Sequence, residues 1–131
     1  MNDDNTIDPH SPKIEYLAKD GYTEIAIHAK TFIRDSAREF QAITSEAAGK
    51  GESRFLINFK ACQYISSEGL GCIAEFWRQC SEHPDKKMVS VFNAEPVNEL
   101  LNFFEIIGLA RVMADHIFTD YDKAVDFLTS N

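Results

Sequence analysis

The chain has 131 residues, 44% of them apolar and ten of them Phe, which is enough for the core of one domain and argues against a disordered chain. Its 13 Lys and Arg stand against 21 Asp and Glu, and the net charge of −8 repels nucleic-acid phosphates and anionic lipid headgroups alike. That balance disfavours nucleic-acid binding, and no window approaches the roughly 18 apolar residues of a membrane span, so direct membrane insertion is not expected either.

MNDDNTIDPHSPK at the start is polar and acidic, with no apolar signal core, so residues 1–12 read as a disordered tail on a cytoplasmic protein and 13–131 as its folded domain. Residues 13–18 (KIEYLA) and 22–29 (YTEIAIHA) read as two strands, and Asp20-Gly21 between them suits a tight hairpin turn that pairs them antiparallel. From Ile33 the apolar residues Ala37, Phe40, Ile43 and Ala47 recur along one helical face, predicting a first helix that breaks at Gly49 and Gly51. RFLINF (54–59) is a nearly continuous apolar run, as expected of a central strand covered on both faces.

YISSEGLG (64–71) follows on the seam between that strand and a second helix, whose inward face is predicted at Leu70, Ile73, Ala74, Trp77 and Cys80 and which ends before Pro84. MVSVF (88–92) repeats the buried-strand pattern. Asn93 then suits a helix cap, with Pro96 in the first turn, Val97, Leu100, Leu101, Phe104 and Ile107 inward, and Gly108 at the end. VMADHIF (112–118) reads as a last strand. Thr119 or Asp120 caps a short terminal helix with Tyr121, Ala124, Val125 and Leu128 on one side. Repeated strand–helix–strand units after an opening hairpin predict an α/β fold: a mixed, mostly parallel central sheet of about five strands with about four helices.

In such sheets sites gather where the carboxyl ends of strands meet helix N-termini, and YISSEGLG lies at one such place. Ser66 suits the N-cap, its hydroxyl folding back onto a free backbone N–H of the first turn, which leaves the Ser67 hydroxyl pointing outward. Taken alone, two serines ahead of an amphipathic helix are most simply a capping sequence. Gly69 and Gly71 weaken the first turn, and two reasons compete: close approach of a partner over bare Cα atoms, or tight packing of this helix on its own sheet. In the adjacent pairs Phe76/Trp77 and Phe103/Phe104, one ring should face the core and the other an edge, where Phe76 or Phe103 could serve an interface.

Chemistry of other kinds has little support. Cys62, Cys72 and Cys80 show no CxxC spacing, and His10, His28, His83 and His116 are scattered, so neither disulfides, nor a metal site, nor a cofactor is expected. No G-x-S-x-G elbow surrounds the serines and no GK(S/T) phosphate loop is present, so the chain does not read as an enzyme.

FLINFKACQYISSEGLGCIAEFWRQC resembles the central signature of the STAS domain, in which an apolar strand leads through a loop to a (D/S)-S-x-G-L motif opening a helix. VFNAEPVNELLNFFEIIGLARVM resembles the second block of that family, and the likeness in element order covers roughly residues 13–128. The resemblance implies a bacterial anti-sigma-factor antagonist that works by partner switching. Unphosphorylated, it would bind an anti-sigma factor that is also a serine kinase; phosphorylated at the helix start it would be released, and a serine phosphatase would reset it. Counting back from Gly69, the phosphoacceptor falls on Ser67, with Ser66, Gly69, Leu70 and Gly71 as the motif and Asn58, Ser66, Ser67, Glu68 and Gly69 as the implied partner interface. Asn58 and Ser66 stand where the family often carries Asp, and Glu68 sets a negative charge beside the acceptor. STAS domains also serve as accessory subunits of membrane transport systems, including lipid-handling ABC transporters, which is the alternative the resemblance allows.

Overall fold

The computed structural model describes residues 14–28, 30–32, 34–62, 64–92 and 113–130. β1 (Ile14–Lys19) and β2 (Tyr22–Ile27) form the opening hairpin, paired antiparallel from Ile14 against Ile27 to Lys19 against Tyr22. Gly21 takes a φ of 86° at the turn, left-handed backbone that glycine adopts without a steric cost. β3 (Thr31–Phe32) leads into α1 (Arg34–Gly49), then β4 (Arg54–Asn58), β5 (Tyr64–Ile65) and α2 (Ser67–Ser81). β6 (Lys87–Val91), a 3-10 turn at Ala114–His116, β7 (Ile117–Phe118) and the terminal helix α3 (Tyr121–Thr129) complete the described elements.

The main sheet runs β1-β2-β4-β6-β7, antiparallel only at the hairpin, so it is mixed and mostly parallel as the element order predicts. Alternation along the strands divides the core between its two faces. Ile25, Ile27, Phe55, Ile57 and Met88 pack with Ala37 and Phe40 of α1 and Ile73, Phe76 and Cys80 of α2. Leu56, Val89 and Val91 turn the other way, against Ala124 and Leu128 of α3. The middle of β4, Phe55 to Ile57, is apolar and buried because helices cover both sides of it.

Three departures from the sequence expectations are set by tertiary packing. The strand expected at 112–118 contracts to Ile117–Phe118, because Met113 is buried and the His116 N–H returns to the Met113 carbonyl at 2.7 Å, closing a tight turn instead of extending. On α2 the buried ring is Phe76, not Trp77: the helix packs against both α1 and β6, which centres its inward face on Gly69, Leu70, Ile73, Phe76 and Cys80. Phe76 is 3% exposed and packs edge-on to Phe40 and Phe55, so it is no interface residue, and Trp77 instead meets the His116 ring at 4.8 Å. The short strands β3 and β5 were not anticipated; they pair parallel as a separate two-stranded sheet. Three α-helices stand among the described residues; the helix expected around Val97–Ile107, with Phe103 and Phe104, lies outside them.

Candidate functional site

The small β3–β5 sheet aims the start of α2. The Tyr64 N–H donates to the Lys30 carbonyl at 3.1 Å and the Ser66 N–H to the Phe32 carbonyl at 3.0 Å, which pins the chain on both sides of Ile65 just before the helix begins. Ser66 is extended (φ −84°, ψ 168°), and its Oγ accepts from the Gly69 N–H at 3.1 Å, satisfying one of the free donors of the first turn. The same hydroxyl donates to the Phe32 carbonyl at 3.4 Å. Both hydrogen-bonding functions of Ser66 are therefore engaged.

Ser67, the first residue of α2, is exposed, and so is Glu68. The two glycines have opposite surroundings. A Cβ on Gly69 would lie 2.6 Å from Cδ2 and 2.7 Å from the carbonyl oxygen of Phe32, and 3.0 Å from Cγ1 of Ile65, so this residue is bare because the helix packs on β3 and β5. Gly69 is buried and belongs to the interior, which corrects its assignment to the partner surface. Gly71 is exposed, with nothing within 4 Å of the Cβ position, and Leu70 between them points into the core.

Asn58, at the end of β4, is half-buried and held by its own hydrogen bonds. It shares the parity of Leu56 and so lies on the α3 face of the sheet, opposite the face covered by α2. Its Nδ2 donates to Glu24 Oε2 at 2.9 Å, its Oδ1 accepts from the Lys60 N–H at 2.9 Å, and Glu24 Oε1 accepts from the Tyr121 hydroxyl at 2.5 Å. Tyr22 joins Tyr121 at 2.6 Å. Glu24 is 5% exposed, so this network tolerates a buried carboxylate by hydrogen-bonding both its oxygens. Burial and the Glu24 hydrogen bond together push the Tyr121 hydroxyl well above the usual tyrosine range. Asn58 works here as a structural tie between β2, β4 and α3.

Tyr64 is the large apolar residue that stands exposed among the described residues, at 57%. Sequence reasoning passed over it; its signal is the alternation that buries Ile65 and turns its neighbour out. The three thiols are all held protonated by burial, Cys80 up to about 11, and Glu68 adds to the effect at Cys72. Among the described residues no cluster of His, Cys, Asp and Glu could hold a metal ion, and no helix is long and apolar enough to cross a membrane.

Neither a protein-family model nor a curated protein matches the sequence. Solved structures do match the fold. A crystal structure of an anti-sigma factor antagonist from Mycobacterium paratuberculosis superposes with a TM-score of 0.76 at 13% identity, over 94% of this chain and 98% of that one. The chain has the STAS fold. Two further STAS structures are of the anti-sigma factor antagonist SpoIIAA: unphosphorylated (TM-score 0.67, 14% identity, 87% of this chain and 94% of that one) and, from Bacillus, phosphorylated (0.64, 15%, 87% and 97%). The same STAS fold occurs in a sulfate transporter family protein from Wolinella succinogenes, with a TM-score of 0.65 at 16% identity over 86% of this chain and 88% of that one.

Proposed function

We propose that this chain is an anti-sigma-factor antagonist, a cytoplasmic binding module without catalytic activity of its own, whose partner is an anti-sigma factor with serine-kinase activity. Phosphorylation of Ser67 by that partner ends the complex, and a serine phosphatase restores it. The observation that carries this reading is the division of labour between adjacent hydroxyls: Ser66 is occupied by Gly69 and Phe32, whereas Ser67 is exposed on the first turn of α2. An occupied hydroxyl is a poor acceptor and an exposed one a good one.

The energetics support a switch that leaves the fold intact. A phosphate on Ser67 adds about −1.5 to −2 charge at the positive end of the helix dipole, where the free domain tolerates it. A hundredfold loss of partner affinity needs only about 2.7 kcal/mol, which a desolvated or like-charge phosphate at an interface supplies. That SpoIIAA has been solved with and without its phosphorylation is consistent with such a switch on this fold.

The test is incubation with the candidate kinase and ATP, followed by phosphopeptide mapping and binding of Ser67→Ala and Ser67→Glu. Phosphate on Ser67 and loss of binding in Ser67→Glu are expected; no phosphate on Ser67 together with unchanged binding of Ser67→Glu would sink the switch. A second reading, an accessory subunit of a membrane transport system, draws on the shared fold of the sulfate transporter family protein, and co-purification with a permease instead of a kinase would favour it.

A further inference from the structure

Toward the C-terminal end of α2, away from Ser67, the helix and the start of β6 enclose a second concave site. Trp77, Cys80, Met88, His116, Lys86 and Lys87 line a cavity of about 190 Å³, with Ser81 beside them. An apolar cavity of about 150 Å³ takes up benzene, so this space suits one ring with a small substituent. Trp77 stands edge-on to the His116 ring at 4.8 Å, and His116 edge-on to Phe127 at 5.0 Å, which holds the aromatic wall from behind. The lining carries no carboxylate, and among the described residues neither lysine pairs with one. Instead Lys86 Nζ donates to the Glu52 carbonyl at 2.7 Å and Lys87 Nζ to the Phe127 carbonyl at 2.6 Å. An ammonium has three N–H donors, so each lysine keeps two to offer a ligand. Arg54, opposite Lys87 in the β4 to β6 register, likewise donates to the Leu128 and Ser130 carbonyls. Three cations thus gather on backbone oxygens in a chain whose net charge is −8. Burial and the Arg54 charge lower the Lys87 pKa; burial and the Lys87 charge lower that of His116 against the opposing pull of Asp115. A bound anion relieves both repulsions. Asp85, in the adjoining cleft, and Asp115 offset part of the positive charge, which favours a monoanion over a dianion.

We propose that this cavity binds a small aromatic monocarboxylate, its ring against Trp77 and Met88 and its carboxylate on Lys86 and Lys87. An apolar wall with a few convergent polar groups is the usual build of a small-molecule site. A bare inorganic anion gains nothing from the wall, and an uncharged ring forgoes the charge-assisted hydrogen bonds, so the site selects the combination. The proposal goes beyond the phosphorylation switch and does not depend on it. Trp77 lies ten residues after Ser67, about 15 Å along the helix axis, so a ligand here leaves the Ser67 hydroxyl exposed. The chain gains a small-molecule input separate from its serine.

Trp77 is the single tryptophan of the chain, so its fluorescence reports on the cavity directly. The intact chain is titrated with benzoate, with benzyl alcohol as the ring without the charge and acetate as the charge without the ring. Benzoate binding is then mapped by amide chemical shifts. A saturable fluorescence change below about 10 mM benzoate is expected, with shifts centred on Trp77, Lys86, Lys87 and His116, and binding of both controls at least about tenfold weaker. Lys86→Gln and Lys87→Gln are each expected to weaken benzoate about tenfold and to leave benzyl alcohol unchanged. The fluorescence titration and shift map use the wild-type chain and so decide the matter even where a variant does not fold. No saturable change, shifts confined to other surfaces, or equal binding of benzoate and either control overturns the site. Unchanged benzoate affinity in both lysine variants overturns it as well. None of these outcomes bears on phosphorylation of Ser67.

Discussion

Adding one methyl group at Gly69 should destabilise the protein, against the usual helix-forming advantage of alanine. That advantage is at most about 1 kcal/mol and smaller in a first turn. The new Cβ would meet Phe32 Cδ2 at 2.6 Å and the Phe32 carbonyl oxygen at 2.7 Å, whereas carbon atoms in good contact stay at about 3.5 Å or more. The Phe32 ring has no exit: it is fully buried and packs edge-on to Phe40 and Phe59, with centroids 5.5 and 6.1 Å away. The carbonyl cannot withdraw either, since it holds the Ser66 N–H at 3.0 Å.

The helix start must therefore lift, by about 0.8 Å if it is to restore ordinary contact, and that stretches the Ser66 bond beyond hydrogen-bonding range. Overpacking by one methyl costs about 1–3 kcal/mol and the lost hydrogen bond about 1 kcal/mol, which leaves a net loss of roughly 2–3 kcal/mol after the helix gain. For a domain of this size the corresponding fall in Tm is about 10 °C. Circular-dichroism melts of wild type and Gly69→Ala measure it directly. A Tm for Gly69→Ala equal to or above that of wild type would show that the packing argument is mistaken.

Ser66→Ala should cost about 1 kcal/mol in urea denaturation, the value of a typical N-cap, whereas Ser67→Ala should stay within about 0.5 kcal/mol of wild type; equal losses would contradict the separate roles of the two hydroxyls. Tyr121→Phe removes the hydroxyl that donates to buried Glu24 and should cost about 2 kcal/mol at neutral pH. The alkaline limb adds a second measurement. The folded state raises the Tyr121 pKa above its unfolded value of about 10, so the associated stability is complete below that pH and is lost as pH climbs past it. Urea midpoints should fall more steeply above pH 10 in wild type than in Tyr121→Phe, and parallel slopes would rule the network out as the cause.

Much of the architecture was legible in the sequence because it rests on local rules. The Asp20-Gly21 hairpin, the apolar run at Arg54–Asn58 and the face of α1 on Ala37, Phe40 and Ala47 follow from turn chemistry and periodicity, which any short window carries. The terminal helix behaves likewise: the Asp120 carboxylate accepts from the Lys123 N–H, and Ala124 and Leu128 face inward. At the serine seam, the cap at Ser66 is equally local, since Oγ reaches a backbone N–H only three residues ahead.

Other assignments needed the third dimension. β3 and β5 have two residues each, too few to show any period, and they exist because their chain segments are brought side by side. Periodicity alone turns Trp77 inward, and the packing of α2 against both α1 and β6 buries Phe76 instead. Asn58 lies near the serines in sequence, yet strand parity commits it to Glu24 and Tyr121 on the opposite face. Gly69 and Gly71 are the same residue in the same turn; what separates them is Phe32, more than thirty residues earlier, whose ring and carbonyl occupy the space of one missing methyl and leave the other open. A sequence by itself determines which backbone conformations are favourable, because those depend on near neighbours. Which side chains are crowded and which stand free is set by distant segments, and only the packed tertiary structure decides it.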